Sequence, residues 1–249
     1  METILKIEGV SKSFGGVWAL YNVSFSVEPG EKLAIIGPNG AGKTTLMNVL
    51  SGLLPLSDGK IFLFGKDITR FSTHHRTQMG MARSFQSSAL FPEMRVIDNL
   101  LLAFHGTKAS RYGMLKTFYS YQECCDEAEK LLKTVNLWDR RFIQVESLSH
   151  GEKKKLEIVT SFASNPKLLL LDEPSAGLTS EESAEVVEII KEKGSDMAVL
   201  VVAHDMDLVF NLADEILVLH YGEVIAKDKP DAIAKDVRVK ECYMGIENE

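Results

Sequence analysis

Apolar and polar residues alternate near the start of the chain. Thr3-Ile4-Leu5-Lys6-Ile7 shows the pattern, and Tyr21-Asn22-Val23-Ser24-Phe25-Ser26-Val27 shows it more clearly, with the period of a half-buried strand. Glu28-Pro29-Gly30 reads as a turn. Lys32-Leu33-Ala34-Ile35-Ile36 is a compact apolar run, as in a strand buried on both faces. A helix is expected from Gly42 to about Leu50, closed by Ser51-Gly52, then a strand pair around Lys60 to Phe64 with Gly65-Lys66-Asp67 as its turn. From about residue 88 the period lengthens. Val96, Leu100 and Ala103 recur at helical spacing, as do Cys124, Ala128, Leu131, Leu132 and Val135, so 88–160 reads as a mostly helical insertion. Buried strands are expected again at Leu168 to Leu171 and Ala198 to Ala203, separated by a helix from Ser180 to about Lys191. Strand, helix, strand with apolar strands predicts a parallel sheet covered on both faces. The tail from Asp214 offers two short strands around Tyr221-Gly222 and then weak helix.

Composition narrows the setting. The chain has 249 residues, 45% hydrophobic and 25% charged, which is ordinary for a soluble globular protein and excludes disordered and collagenous classes. Its formal charge of -7 argues against nucleic acid as a main partner. Apolar runs such as Met197 to Ala203 fall far short of the roughly 20 residues of a membrane span. The Met1-Glu2-Thr3 start lacks the pattern of a signal peptide, and three cysteines without framework spacing suit a reducing compartment. A cytoplasmic location is expected.

Two motifs carry chemistry. Gly37-Pro38-Asn39-Gly40-Ala41-Gly42-Lys43-Thr44 matches G-x-x-x-x-G-K-[ST] between an expected strand and an expected helix. Such a loop turns backbone N–H groups toward phosphate oxygens, and the following helix adds its positive end. Lys43 reaches the β and γ phosphates, and the Thr44 hydroxyl is placed for Mg2+. The second motif, Leu168-Leu169-Leu170-Leu171-Asp172-Glu173-Pro174, is a buried strand ending in two acids. Asp172 is placed to hold Mg2+ through water, and Glu173 to accept a proton from attacking water.

Further motifs follow in a fixed order. Leu148-Ser149-His150-Gly151-Glu152 resembles the LSGGQ signature of ATP-binding cassette (ABC) proteins, and Gln86 in Arg83-Ser84-Phe85-Gln86 resembles their Q-loop. His204 resembles their switch histidine, Ser175-Ala176-Gly177-Leu178 their D-loop, and Phe14 the aromatic that stacks on adenine. Nearly the whole chain is similar to one complete cassette. Within the family it resembles cassettes of branched-chain amino-acid importers, through Ala82 to Gln86, Leu90 to Leu100, Gly106 to Gln122 and Asp172 to Leu178. Cassettes for urea or amide uptake and for lipopolysaccharide export share parts of that pattern.

The resemblance implies an α/β fold in a single domain over 1–249: a P-loop (RecA-like) core, an N-terminal antiparallel β subdomain and an inserted α-helical subdomain. Residues 1–87 and 161–249 would form the core and β subdomain, and 88–160 the helical subdomain with the signature. It further implies ATP and Mg2+ as ligands and two cassettes facing each other head to tail. Phosphate bound along Gly37 to Thr45, including Thr45 itself, would be capped by Ser149 and Gly151 of the second cassette. Gln86 would help place Mg2+ and water, and His204 would contact the γ phosphate. Permease subunits and a solute-binding protein are the implied partners, with the cassette peripheral on the inner face of the cell membrane. A soluble non-transport ABC ATPase would usually show two cassettes or a long coiled-coil insertion, whose heptads this chain lacks. A small-molecule kinase would need an acceptor site and a lid in place of the signature.

Several features depart from the family pattern or have plainer readings. His150 replaces the first glycine of the signature pair, which suits a tolerated change on an exposed rim better than a pH sensor. Leu178 stands where an aspartate is common, which puts a D-loop aspartate contact in doubt. Phe14 could instead be core. Lys153-Lys154-Lys155 reads first as a solvated helix face, Cys124 and Cys125 as including a small buried hydrophobe, and His74, His75 and His105 as surface residues.

Overall fold

Strand β3 (Lys32–Ile36) lies at the middle of a six-stranded sheet, flanked by β8 (Ala198–Val202) and β9 (Glu215–His220). Beyond β8 come β7 (Leu168–Asp172) and the edge strand β6 (Met81–Arg83), and beyond β9 comes β10 (Glu223–Asp228). Neighbours pair parallel except β10 on β9. The computed structural model describes residues 3–84, 90–107, 121–194 and 197–244. The apolar strands feed two cores. Ala34, Ile36, Leu169, Leu171, Val199 and Val201 join one cluster, while Leu33, Ile35, Leu168, Leu170, Leu200 and Val202 join the other. That division follows from the twofold period of a strand and explains why the runs are continuously apolar.

One core is closed by α1 (Lys43–Ser51) and an antiparallel sheet in the order β2-β1-β4-β5, formed by β1 (Leu5–Phe14), β2 (Val17–Val27), β4 (Asp58–Leu63) and β5 (Lys66–Asp67). Strands β1 and β2 run well beyond the alternating stretches. Register shifts after Ile7, Val10 and Lys12 break the period, so the pattern fades while the pairing continues. The turn between β4 and β5 is Phe64-Gly65, and Lys66-Asp67, expected within the turn, is the short β5 itself. The other core takes α3 (Val96–Thr107), α4 (Gln122–Thr134), α5 (His150–Phe162), α6 (Ser180–Lys193) and α7 (Met206–Leu212). Short helices α8 (Pro230–Ile233) and α9 (Val237–Met244) follow β10. Among the described residues no helix is long and apolar enough to cross a membrane.

Helix α2 (Thr73–Gln78) carries an unusual anchor. Arg76 is 2% exposed and donates to five carbonyls, those of Val49, Leu50, Ile68, Thr69 and Phe71, at 2.6–3.2 Å. Two of them belong to the last turn of α1, whose carbonyls lack partners within the helix. Burial with no carboxylate among these partners pulls the guanidinium pKa down to about 10.

Two surface expectations are corrected. His105 is buried and packs edge-on against Tyr121 at 4.7 Å, because it falls on the inner face of α3. The lysine run is engaged rather than freely solvated: Lys153 Nζ donates to Glu146 O at 3.0 Å, Lys154 faces Glu157 and Lys155 pairs with Glu185. Cys124 is buried, as a small apolar residue would be. Replacing Arg76 with Met should lower unfolding stability in urea by about 3 kcal/mol, since each buried carbonyl left unpaired costs on the order of 1 kcal/mol or more.

Candidate nucleotide site

The loop after β3 has a backbone that side chains would obstruct. Gly37 has φ +151, and a Cβ there would lie 2.1 Å from Leu219 O. Gly42 has φ +102, and its Cβ would lie 2.4 Å from Ala19 O. Between them, Ala41 N–H donates to Pro38 O at 3.2 Å, while Asn39 and Gly40 are exposed. Lys43 is buried and folds back along the loop, donating to Gly37 O at 2.6 Å and Pro38 O at 2.9 Å. Burial lowers its pKa, and the nearby Glu173 and Asp172 oppose that shift. Thr44 is exposed and Thr45 half-buried in the first turn of α1, where backbone N–H groups have no acceptor within the helix.

The two acids end β7 in different surroundings. Asp172 is 2% exposed, and its Oδ2 accepts from Arg83 Nη2 at 3.0 Å. Arg83 also donates from Nη1 to Asn48 Oδ1 and Ser51 Oγ of α1, both at 2.8 Å. Glu173 stands at φ +49, a left-handed conformation that costs a non-glycine residue roughly 1–3 kcal/mol. Its N–H donates to Val202 O at 2.8 Å, which locks the turn to β8. Its Oε1 lies 3.2 Å from Nε2 of His204, half-exposed just past β8. The sheet thus brings Lys43, Asp172, Glu173 and His204 to one edge.

The remaining expected site residues are Phe14, Ser149, Gly151 and Gln86. Phe14 ends β1, about half exposed rather than in the core, with Lys12 Nζ 4.9 Å from its ring centre. Ser149 caps α5: its Oγ accepts from Glu152 N–H at 3.2 Å, and Glu152 Oε2 accepts from Ser149 N–H at 2.8 Å. Among the described residues no hydrogen bond or ion pair joins Ser149 or Gly151 to the phosphate loop. Gln86 lies outside the described residues.

A family profile described as ABC transporter matches residues 20–176. The high-affinity branched-chain amino acid transport ATP-binding protein LivG of Escherichia coli (strain K12) is 36% identical over 251 residues, covering 98% of this chain and 98% of its own. The chain belongs to the ABC transporter family. The similarly named BraF of Pseudomonas aeruginosa is 34% identical, covering 97% of this chain and 98% of its own. A solved structure titled as the ADP conformation of an ATP-binding cassette of an ABC transporter has a TM-score of 0.83 at 29% identity, covering 98% of this chain and 100% of that one. This chain is accordingly a nucleotide-binding, ATP-hydrolysing cassette.

Sequence reasoning quoted Arg83 within a motif but missed its role. The sequence carried no sufficient signal, because the three-residue edge strand that Arg83 ends is too short to read and the burial that demands a carboxylate or several acceptors appears only in the fold. It also missed Glu157, on the inner face of α5. A cleft of about 230 Å³ is lined by Leu53, Arg83, Leu90, Ala103, Glu157 and Thr160, among others. Both Arg83 Nε and Glu157 Oε1 are buried, with no hydrogen-bond partner among the described residues. Burial pushes the Glu157 carboxyl above its ordinary 4.5, against the opposing influence of Lys154 and His150. The folded state therefore holds this proton to higher pH than the unfolded chain, and the stability so gained fades as pH rises through the folded pKa. In Glu157→Gln, unfolding stability measured across pH should rise relative to the wild type as pH climbs above 4.5, then level off.

Proposed function

We propose that the cassette drives a membrane transporter for branched-chain amino acids or similar small solutes, paired with a second cassette and separate permease subunits. One observation carries the catalytic part: parallel pairing sets Lys43, Asp172, Glu173 and His204 on one edge, while Ser149 caps α5, Gly151 lies in its first turn, and neither bonds to the phosphate loop among the described residues. A head-to-tail pair supplies the missing face, with Ser149 and Gly151 of one chain over the phosphates held by the other. Similarity to LivG and BraF along nearly the whole chain supports the cargo class and favours it over lipopolysaccharide export.

In this reading the phosphates of ATP lie on the loop from Gly37 through Gly42 and on the first-turn N–H groups of Lys43, Thr44 and Thr45, with adenine on Phe14. The metal-side donors suit Mg2+. Among the described residues no cluster of three His, Cys, Asp or Glu side chains could hold an ion by itself, and Mg2+ characteristically combines one or two carboxylates with phosphate and water. Thr44, Asp172 and Gln86 would hold it, and when bound it neutralises charge on the β and γ oxygens. Arg83 aims Asp172. Glu173 takes a proton from water as that oxygen attacks the γ phosphorus and the bond to the ADP oxygen breaks. His204 steadies Glu173 at 3.2 Å and contacts the γ phosphate. Glu173→Gln should retain ATP binding and lose about a hundredfold or more in turnover; turnover at the wild-type rate would overturn its role as base.

A cytoplasmic loop of the permease would enter the cleft beside Gln86 and Phe91, with the cassette held peripherally at the inner membrane face and a solute-binding protein serving the far side. Support comes from Phe91, about half exposed while its backbone N–H and C=O are both bonded to the buried Asn99 side chain. Arg83 and Glu157, each with one buried polar atom that has no hydrogen-bond partner among the described residues, line this cleft and add to it. Phe91→Ala and Glu93→Lys should each abolish copurification with the permease while leaving ATPase activity of the free cassette in place. Intact assembly and transport in both would remove the docking proposal.

A further inference from the structure

The histidine that replaces the first signature glycine is engaged with the loop after β7. His150 is the first residue of α5, and its Nε2 lies 3.2 Å from Ala176 O in the Ser175–Leu178 loop. The contact extends to the next residue. Gly177 has φ +76, and a Cβ there would come within 2.8 Å of His150 Nε2 and 3.3 Å of Cδ2. The ring therefore rests against a backbone that only glycine leaves open.

A second close approach lies beside the first. A Cβ on Gly151 would fall 2.1 Å from Glu182 Oε1. Glu182 closes the capping box of α6, its Oε2 accepting from Thr179 N–H at 3.0 Å while its own N–H donates to Thr179 Oγ1 at 3.2 Å. Ser149 and Glu152 form the matching box on α5. Two locally rigid helix starts thus touch at adjacent points, His150 on Ala176-Gly177 and Gly151 on Glu182.

We infer that His150 is a positioning residue that ties the start of α5 to the Ser175–Leu178 loop, so that Ser149 and Gly151 move with the segment following Asp172 and Glu173. The consequence for ATP rests on the two-cassette reading above: the groups offered to the partner's nucleotide become coupled to the state of the chain's own site. Only a donor serves, because Ala176 O accepts. The bond requires the ring to carry its proton on Nε2. Glycine would leave the loop without it, and glutamine retains an N–H at comparable reach.

The test uses the full-length cassette carrying Glu173→Gln, with ATP-driven dimerisation followed by light scattering. ADP affinity of the monomer and the melting temperature serve as controls. His150→Gly and His150→Leu should each raise the ATP concentration for half-maximal dimerisation about three- to tenfold, the effect of one net hydrogen bond. His150→Gln should restore most of the loss, with ADP affinity and melting temperature unchanged in all three. A dimerisation curve unchanged in His150→Gly, or equal losses in Gln and Leu with a lowered melting temperature, overturns the inference. Ser149→Ala, run alongside, separates the two readings. If it shifts the curve and His150→Gly does not, the His150 link alone fails; if neither shifts it, the two-cassette reading fails and the link with it.

Discussion

Parallel pairing of β3, β8 and β7 is the constraint on which the cassette depends. In a parallel sheet every strand ends at the same edge, and the register here sets Asp172 opposite Val202 and Ile35 opposite that same residue. Loops leaving those ends therefore begin level with one another. The phosphate loop, the two acids and His204 are far apart in the chain, yet they need no further device to become neighbours. Burial of both faces enforces the arrangement. The strands divide their side chains between two cores, and a slip by one residue would exchange the two sets.

Buried charge is handled in two contrasting ways. Arg76 is satisfied by five carbonyls and serves the end of α1 and the chain around it. Arg83 instead faces a carboxylate, and the same guanidinium grips α1 through Asn48 and Ser51. The helix that opens with Lys43 is thereby tied to the acid that ends β7. Such a pair is costly to break, because the carboxylate left behind would be buried alone. Glu173 shows the complementary feature, a strained backbone held by its bond to Val202 and aimed at His204. Strain of this kind persists where the surrounding structure over-determines it.

Legibility varied with how local each signal was. The phosphate loop, the acidic strand end and the apolar strands could be read directly, because each depends on residue order within a short window. Helices α3 and α4 were readable from Val96, Leu100, Cys124 and Ala128 at helical spacing. Strands β1 and β2 were only half visible, since register shifts destroy the alternation that reveals a strand. The short α2 and β6 gave no periodic pattern long enough to read. His105 and the Lys153-Lys154-Lys155 run were misjudged because exposure depends on which neighbouring element covers a face, and polarity alone does not report that.

The sequence by itself determined the kind of protein: a phosphate loop between strand and helix, a buried strand ending in Asp172-Glu173, a signature segment and a histidine just after the apolar strand Ala198–Val202, in the order of one cassette. Residue type and spacing suffice there, because the chemistry of phosphate, proton and glycine backbone is local. Only the tertiary structure decided that Arg83 holds Asp172, that Glu157 lies buried in a cleft and that His150 reaches Ala176. Those contacts join residues 89 apart in the first case and 26 apart in the last. Pairings at such separations are set by how helices cover a sheet, which no short window of sequence records.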